Sequence, residues 1–162
     1  MRTPTRQDAE ELLYREARLL DEGRLDAWLD MLSDDTHYLV PLTSDADDAL
    51  SIIREDRFRL EARVWRITQT GLSHSQDPAS RTTRVVTNIE VVDGQKDEAT
   101  VHSVLVLHEW RPGGQRDTGP VRTFPFRVEH RLRWEEDKWL ITYRKLTMLQ
   151  RDGSLPPMTY MI

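Results

Sequence analysis

The sequence predicts an α+β fold in which N-terminal helices pack on one face of a curved antiparallel sheet. Apolar residues at helical spacing are concentrated before about residue 68, whereas apolar and polar residues alternate from about residue 82 to 150. Helices followed by a run of strands favour this α+β arrangement. The 162 residues contain no internal repeat, linker or low-complexity tract, so we expect one domain, residues 1–162.

Two helices are expected within about residues 5–32. Thr5 and Asp8 have the spacing of a capping box, and leucines and alanines then recur at helical intervals until Gly23. A second, short helix is expected over RLDAWLDMLSDD, which starts at Arg24 and places Trp28 among leucines on one side. Asp34 and Asp35 would then lie in the turn between this helix and the first strand.

A third helix is expected over about residues 50–68. Four apolar residues share one face and three more widen it: Ile53, Leu60, Val64 and Ile67, then Phe58, Ala62 and Trp65. So wide an apolar face predicts a helix that lies across the core.

The sheet is expected over about residues 36–42 and 82–150, followed by a short tail, residues 151–162. THYLVPL contains β-forming residues and ends at Pro41, which favours an edge strand. The clearest strand follows Pro125, where Phe126, Val128, His130, Leu132 and Trp134 alternate with polar residues. EEDK then turns the chain into a further strand, which predicts a long antiparallel hairpin.

The composition excludes several classes of function. The net charge of −5 gives no reason to expect nucleic acid or an anionic membrane as a partner. No apolar run approaches the ~20 residues that span a bilayer, and the N-terminal segment has no apolar signal core, so we expect a cytoplasmic protein. There is no cysteine, which excludes disulfides, cysteine nucleophiles and an iron–sulfur cluster held within this chain.

The five histidines do not predict a metal site. His102 and His108 share a face of one strand, but six residues separate them by ~20 Å. Glu109 and Glu129 follow or precede a histidine directly and therefore point to the opposite face of a regular strand. The sequence also contains no phosphate-binding glycine loop and no G-x-S-x-G nucleophile motif.

His130 is the most interesting single residue because it falls on the apolar face of its strand. A curved sheet closed by helices can enclose a pocket, where a histidine and a carboxylate would form a general acid–base site. Candidates to surround it are Tyr14, Asp35, Tyr38 and Tyr143. A free-standing isomerase, dehydratase or cyclase using Tyr14, Asp35 and His130 is therefore one hypothesis. A filled core with a hydrogen-bonded structural histidine is the favoured one.

His37 and Tyr38 are adjacent in the first strand and alternate in facing. At most one of them can therefore point into the interior enclosed by the curved sheet.

Four segments resemble the small (β) subunit of Rieske-type aromatic-ring-hydroxylating dioxygenases. They are EARLLDEGRLDAWLDMLSDDTHYLVPL, IREDRFRLEARVWRI, DPASRTTRVVTNIEVV and WLITYRKLTML, in this order over nearly the whole chain. The pattern of Arg81, Arg84 and Asn88 is the most specific part. The resemblance implies a cone-shaped fold of the nuclear-transport-factor/ketosteroid-isomerase type.

The resemblance also implies a structural role, with no catalytic residue to carry over. A separate α subunit would hold the Rieske [2Fe–2S] cluster and the mononuclear Fe(II), select the aromatic substrate and receive electrons from NADH through a reductase. An α3β3 hexamer with β–β contacts would be the assembly. Exposed aromatic residues would then be candidates for subunit interfaces, namely Trp110, Phe124 and Tyr160.

Overall fold

The computed structural model describes residues 2–42, 50–69, 79–112, 120–151, 153–155, 158 and 160–162. Within these ranges lie three helices, α1 (Arg6–Asp21), α2 (Leu25–Leu29) and α3 (Arg57–Gln69). The six strands are β1 (Leu32–Pro41), β2 (Ser51–Asp56), β3 (Arg81–Gln95), β4 (Glu98–Trp110), β5 (Arg122–Glu135) and β6 (Lys138–Met148). His74 lies outside the described residues.

Helix α1 begins as its sequence predicts. The Thr5 hydroxyl accepts a hydrogen bond from the Asp8 amide (3.1 Å), and the Asp8 carboxylate accepts one from the Thr5 amide (2.9 Å), which completes the capping box. The helix ends before Gly23, whose φ of +68° is a left-handed conformation that glycine adopts without strain.

The second helix is shorter than its pattern predicts. α2 ends at Leu29 and β1 already begins at Leu32, so Asp34 and Asp35 lie in a strand and not in a turn. β1 is held between two strands: Leu32 is the partner of Ile141 in β6, and His37 is the partner of Asp56 in β2. Pairing with β6 at Leu32 and again from His37 brackets the Ser-Asp-Asp segment and outweighs its weak helical preference.

The expectation of one helix over residues 50–68 is wrong in its first part. Residues 51–56 form β2, an edge strand antiparallel to β1, and α3 begins only at Arg57. The side chain of Asp56 accepts the amide of Arg59 (2.9 Å) and so satisfies a donor of the first turn. Backbone pairing with β1 decides the conformation, and the β-branched side chains of Ile52 and Ile53 favour a strand as well.

The predicted wide apolar face of α3 is also wrong. Only Leu60 and Val64 are buried in this helix, whereas Phe58 is 76% and Trp65 62% exposed. The helix packs at the edge of the sheet against β1, β2 and α2, and it does not lie across the core. One face of α3 is therefore covered, and the aromatic residues lie on another.

The strands form one curled sheet in the order β2-β1-β6-β5-β4-β3. Four of its pairings are antiparallel as predicted, and the fifth, between β1 and β6, is parallel. The predicted β5–β6 hairpin is confirmed, and its turn residues Glu136 and Asp137 both have positive φ (49° and 58°), as a type I′ turn requires.

The curl of the sheet has a local cause in β3. Asn88 has a φ of 53°, and the β3–β4 register shifts between Thr87 and Glu90 and again between Val91 and Asp93. Such bulges bend a strand and increase its twist. β3 therefore wraps over α1, which packs on it, and one apolar core fills the space between helices and sheet. None of the helices in the described part of the chain is long and apolar enough to cross a membrane.

Candidate functional site

A charged cluster lies inside the cone, between α1 and the sheet. Ala9, Leu13 and Leu20 form the buried stripe of α1, and Glu16 falls on the same face, with its side chain only 4% exposed. Its Oε2 lies 3.0 Å from Nε2 of His130, and its Oε1 lies 2.9 Å from Nε of Arg144.

Two further side chains complete what we call the interior cluster: Glu16, Trp28, Tyr38, His130 and Arg144. The indole Nε1 of Trp28 donates to Oε1 of Glu16 (3.2 Å), and Nη1 of Arg144 donates to the Tyr38 hydroxyl (3.1 Å). All five residues are buried. The cluster thus balances one buried carboxylate against a guanidinium and several donors, which is the condition for keeping a charge inside a core.

The charge of Glu16 is set by its neighbours. Burial by itself would raise the pKa of this carboxyl, but Arg144, His130 and the hydrogen bonds from His130 and Trp28 outweigh burial and lower the pKa to about 2. A carboxylate with this pKa is a poor general base at neutral pH, because an effective base has a pKa near the working pH. The geometry therefore favours a structural ion pair over acid–base catalysis.

The last residues of the chain occupy the interior beside this cluster. Nη1 of Arg144 and the hydroxyl of Tyr38 both donate to the main-chain oxygen of Ile162, and Nη2 of Arg84 donates to that of Met161. The side chains of Met161 and Ile162 are 4% and 2% exposed and belong to the core. The tail therefore fills part of the interior in which one hypothesis placed a ligand pocket.

A second buried carboxylate, Glu109, lies near the end of β4. Its side chain is fully buried, pairs with Arg111 and Arg122, and accepts the hydroxyl of Ser80 at 2.6 Å. The Tyr160 hydroxyl also donates to it (3.4 Å), and burial followed by the Glu109 charge raises the pKa of Tyr160. This contact attaches the tail to the sheet at a second place.

The structure does not bring the predicted acid–base trio together. Tyr14 is 47% exposed on α1, and Asp35 lies on the surface, where Arg133 binds both of its carboxylate oxygens at 2.9 and 3.0 Å and lowers its pKa. Of the three, only His130 is inside. These positions do not favour the hypothesis of a catalytic site formed by Tyr14, Asp35 and His130.

The residues that do surround His130 were only partly predictable. Tyr38 is the inward member of the His37–Tyr38 pair, whereas Tyr143 lies half-buried against the guanidinium of Arg131, 4.6 Å from its ring centroid. Sequence reasoning missed Glu16. The spacing of Ala9, Leu13, Glu16 and Leu20 would have placed it on the buried face of α1.

The three interface candidates have different positions. Phe124 is 4% exposed and packs in the core of this chain, a position that does not favour a contact residue. Trp110 is 36% exposed at the end of β4, with the guanidinium of Arg81 5.3 Å from its ring. Tyr160 is half-buried against Glu109. Trp110 and Tyr160 remain predictions. Among the residues that the structure describes, no three histidine or acidic side chains converge to hold a metal ion.

The curled sheet around one long helix defines the class of fold to which the protein belongs. The fold is that of the cone-shaped α+β proteins. It is shared with an NTF2-like protein from Novosphingobium aromaticivorans, with a TM-score of 0.60 and 19% identity over 92% of this chain and 83% of the other. It is also shared with a scytalone dehydratase-like protein from the same organism, with a TM-score of 0.65 and 15% identity over 88% of this chain and 82% of the other. At these identities the likeness concerns the fold alone.

Within this class, the chain belongs to the ring-hydroxylating beta subunit family, whose model matches residues 15–152. A solved structure of the benzoate 1,2-dioxygenase beta subunit from Burkholderia mallei is similar over 99% of this chain and all of the other (TM-score 0.79, 27% identity). The resemblance carried by the four sequence segments is thereby confirmed.

Two relatives are similar in sequence. The small oxygenase component of the p-cumate 2,3-dioxygenase system of Pseudomonas putida is 38% identical over 114 residues, 67% of this chain. The biphenyl 2,3-dioxygenase beta subunit of Rhodococcus jostii is 33% identical over 122 residues, 68% of this chain. The matched regions span 63% and 65% of these two relatives.

Proposed function

We propose that this chain is the non-catalytic assembly subunit of a multicomponent aromatic-ring-hydroxylating dioxygenase. It supports a separate α subunit, which carries the Rieske cluster and the mononuclear iron and is reduced by NADH through a reductase. The observation that carries the proposal is membership of the ring-hydroxylating beta subunit family over most of the chain. The relatives named for p-cumate and biphenyl dioxygenases support an aromatic substrate.

The residues of this chain agree with a non-catalytic role. A Rieske cluster is held by two cysteines and two histidines, and the sequence has no cysteine, so this chain does not fit that cofactor. The interior charges also pair with one another, because Glu16 lies against His130 and Arg144 while Nη1 of Arg144 and the Tyr38 hydroxyl donate to the tail. The substrate is then selected by the α subunit, and α3β3 is the assembly that we propose.

Co-expression with the candidate Rieske α chain tests the proposal. We expect an affinity-tagged copy of this chain to retain an iron-containing partner through size-exclusion chromatography, with equal numbers of both chains by mass. Ring-hydroxylating activity should require both chains together with the reductase. The control is the same α chain expressed alone.

Two results would overturn this function. One is an α chain that is stable and fully active without this chain. The other is a purified copy of this chain that converts a small molecule by itself, in a reaction that a His130→Gln variant, shown by thermal unfolding to be folded, no longer performs.

A further inference from the structure

A cavity of about 310 Å³ lies on the sheet between strands β3, β4, β5 and β6. It opens on the side away from the core, because His102 and Val104 line it whereas Val101 and Leu105 of the same strand are buried in the core. Sites for small molecules usually have volumes of ~300–1,000 Å³. The cavity is therefore large enough for a small ligand only.

A bulge in β3 forms one wall of this cavity. Asn88, which lines it, has a φ of 53° and falls between two pairs of the β3–β4 register, Thr87 with Val104 and Glu90 with His102. The Thr87 hydroxyl donates to Oδ1 of Asn88 (3.2 Å), which leaves the amide nitrogen as a donor for a ligand. Bulges of this kind are over-represented beside functional sites, where they turn a side chain in a new direction.

Two cations without an acidic partner line the same cavity. They are Arg127 on β5 and Lys145 on β6, and neither forms an ion pair with an acidic side chain in the described part of the chain. Arg127 is the partner of Thr147, two residues from Lys145, so the two cations are diagonal neighbours on adjacent strands. Diagonal neighbours lie ~7–8 Å apart, a span that two long side chains can bridge with one anion between them.

The acidic groups of this region do not neutralise the two cations. Glu129 is the one acidic residue among the described residues that line the cavity, and its Oε1 accepts from Nε of Arg131 at 3.0 Å and lies 2.9 Å from Nη2 of the same guanidinium. Glu90 is the partner of His102 and does not line the cavity. The cavity therefore carries excess positive charge on a chain whose net charge is −5.

Apolar surface lies directly beside the two cations. Val104 is the partner of Arg127 and contributes to the lining, and the aliphatic stems of Arg127 and Lys145 add methylene groups. An inorganic anion would use only the charges. Apolar lining with a few convergent polar groups is instead the usual composition of a site for an organic ligand.

We propose that this cavity binds a small organic carboxylate. The carboxylate lies between Arg127 and Lys145 and accepts from the amide nitrogen of Asn88, and the carbon chain packs on Val104. Arginine suits this task because its planar donors match a carboxylate, and lysine supplies a second, compact charge. The site goes beyond the proposed assembly role, and binding to it requires no α subunit.

Isothermal titration calorimetry of the full chain, at neutral pH and constant ionic strength, tests the proposal with hexanoate. Two comparison ligands separate the two parts of the site, since 1-hexanol has the carbon chain without the charge and inorganic phosphate has the charge without the chain. We expect hexanoate to bind at least about tenfold more tightly than either, because charge-assisted hydrogen bonds and buried methylene groups each contribute to its affinity.

Variants of the lining residues should weaken hexanoate binding. We expect a loss of at least about tenfold for the double variant Arg127→Gln/Lys145→Gln and of about threefold for Asn88→Gly, which adopts a positive φ without strain. The matched control is Arg18→Gln/Lys96→Gln, which removes the same two kinds of charge from exposed positions on α1 and in the β3–β4 turn. It should bind hexanoate like the wild type. Thermal unfolding checks that each variant is folded.

Chemical modification of the wild type locates the site independently of any variant. Hexanoate should slow the reaction of Arg127 with phenylglyoxal at least about threefold, measured by peptide mass spectrometry, and should leave the exposed Arg18 unaffected. The proposal is overturned if hexanoate neither binds nor protects Arg127 at up to ~20 mM, far above a millimolar dissociation constant. It is also overturned if a comparison ligand binds as tightly as hexanoate, or if the control variant loses as much affinity as the Arg127→Gln/Lys145→Gln variant.

Discussion

Glu16 shows how single residues hold this fold together. Its carboxylate is buried on the inner face of α1 and meets partners that are 114 and 128 positions away, His130 and Arg144. Removing one member of such a group leaves the others charged and without compensation, which costs more than the intact pair contributes.

Glu16→Gln should therefore destabilise the chain strongly. We expect a loss of about 3–5 kcal/mol in the free energy of unfolding, because Arg144 remains buried without its anion. Urea denaturation at pH 7 measures this loss. Glu11→Gln, on the exposed side of the same helix, should stay within about 0.5 kcal/mol of the wild type. Equal effects of the two substitutions would show that the interior ion pair is unimportant.

The same residue predicts an acid-dependent loss of stability. The pKa of Glu16 is lowered in the folded chain to about 2 from an ordinary value of 4.5. Between these values the unfolded chain binds more protons, so the contribution of Glu16 is complete above pH 4.5 and falls as the pH drops towards 2. A shift of this size corresponds to about 3 kcal/mol.

Urea unfolding of the wild type and Glu16→Gln at pH 7, 4 and 3 isolates this contribution from those of other carboxylates. The difference in unfolding free energy between the two proteins should shrink as the pH falls. A constant difference over this range would contradict the assignment.

At the scale of elements, the sequence predicted correctly those features that form between residues close together in the chain. The capping box of α1 and the turn between β5 and β6 form from residues that are neighbours in sequence. The prediction of one helix over residues 50–68 was wrong because the boundary between β2 and α3 depends on β1. This strand precedes them in the chain and offers backbone partners to residues 51–56. Apolar spacing in α3 could not reveal which of its two apolar stripes meets the sheet.

The β5–β6 turn allows a test at this scale. Asp137 has a φ of 58°, a conformation that costs most residues ~1 kcal/mol and that glycine adopts freely. We expect Asp137→Gly to raise the free energy of unfolding by about 0.5 kcal/mol and Asp137→Val to lower it by about 1–2 kcal/mol. Chemical denaturation gives both values. A stabilising valine would be inconsistent with the type I′ geometry.

The whole molecule is a closed cone because its own tail completes the core. The tail is held at three places, by Glu109, Arg84 and the Arg144–Tyr38 pair, and it contributes the buried side chains of Met161 and Ile162. The interior beside the charged cluster is thus occupied by the chain itself.

Ile162→Ala tests the role of the tail. We expect a loss of about 2–4 kcal/mol, the cost of truncating a buried isoleucine where the surroundings cannot collapse. Ser154→Ala, on the exposed part of the same tail, should change stability by less than about 0.5 kcal/mol. Thermal or urea unfolding distinguishes them. If Ile162→Ala behaves like Ser154→Ala, the tail does not belong to the core.

The sequence by itself determined the fold class, the start of α1, the alternation of β5 and the inward position of His130. Each of these is a repeating pattern or a contact between near neighbours, so it can be read along the chain. Only the tertiary structure decided that β1 begins at Leu32, that residues 51–56 form a strand, and that Phe58 and Trp65 are exposed. It also decided which carboxylate meets His130. Those outcomes depend on pairing and packing between segments far apart in sequence, which no local periodicity records.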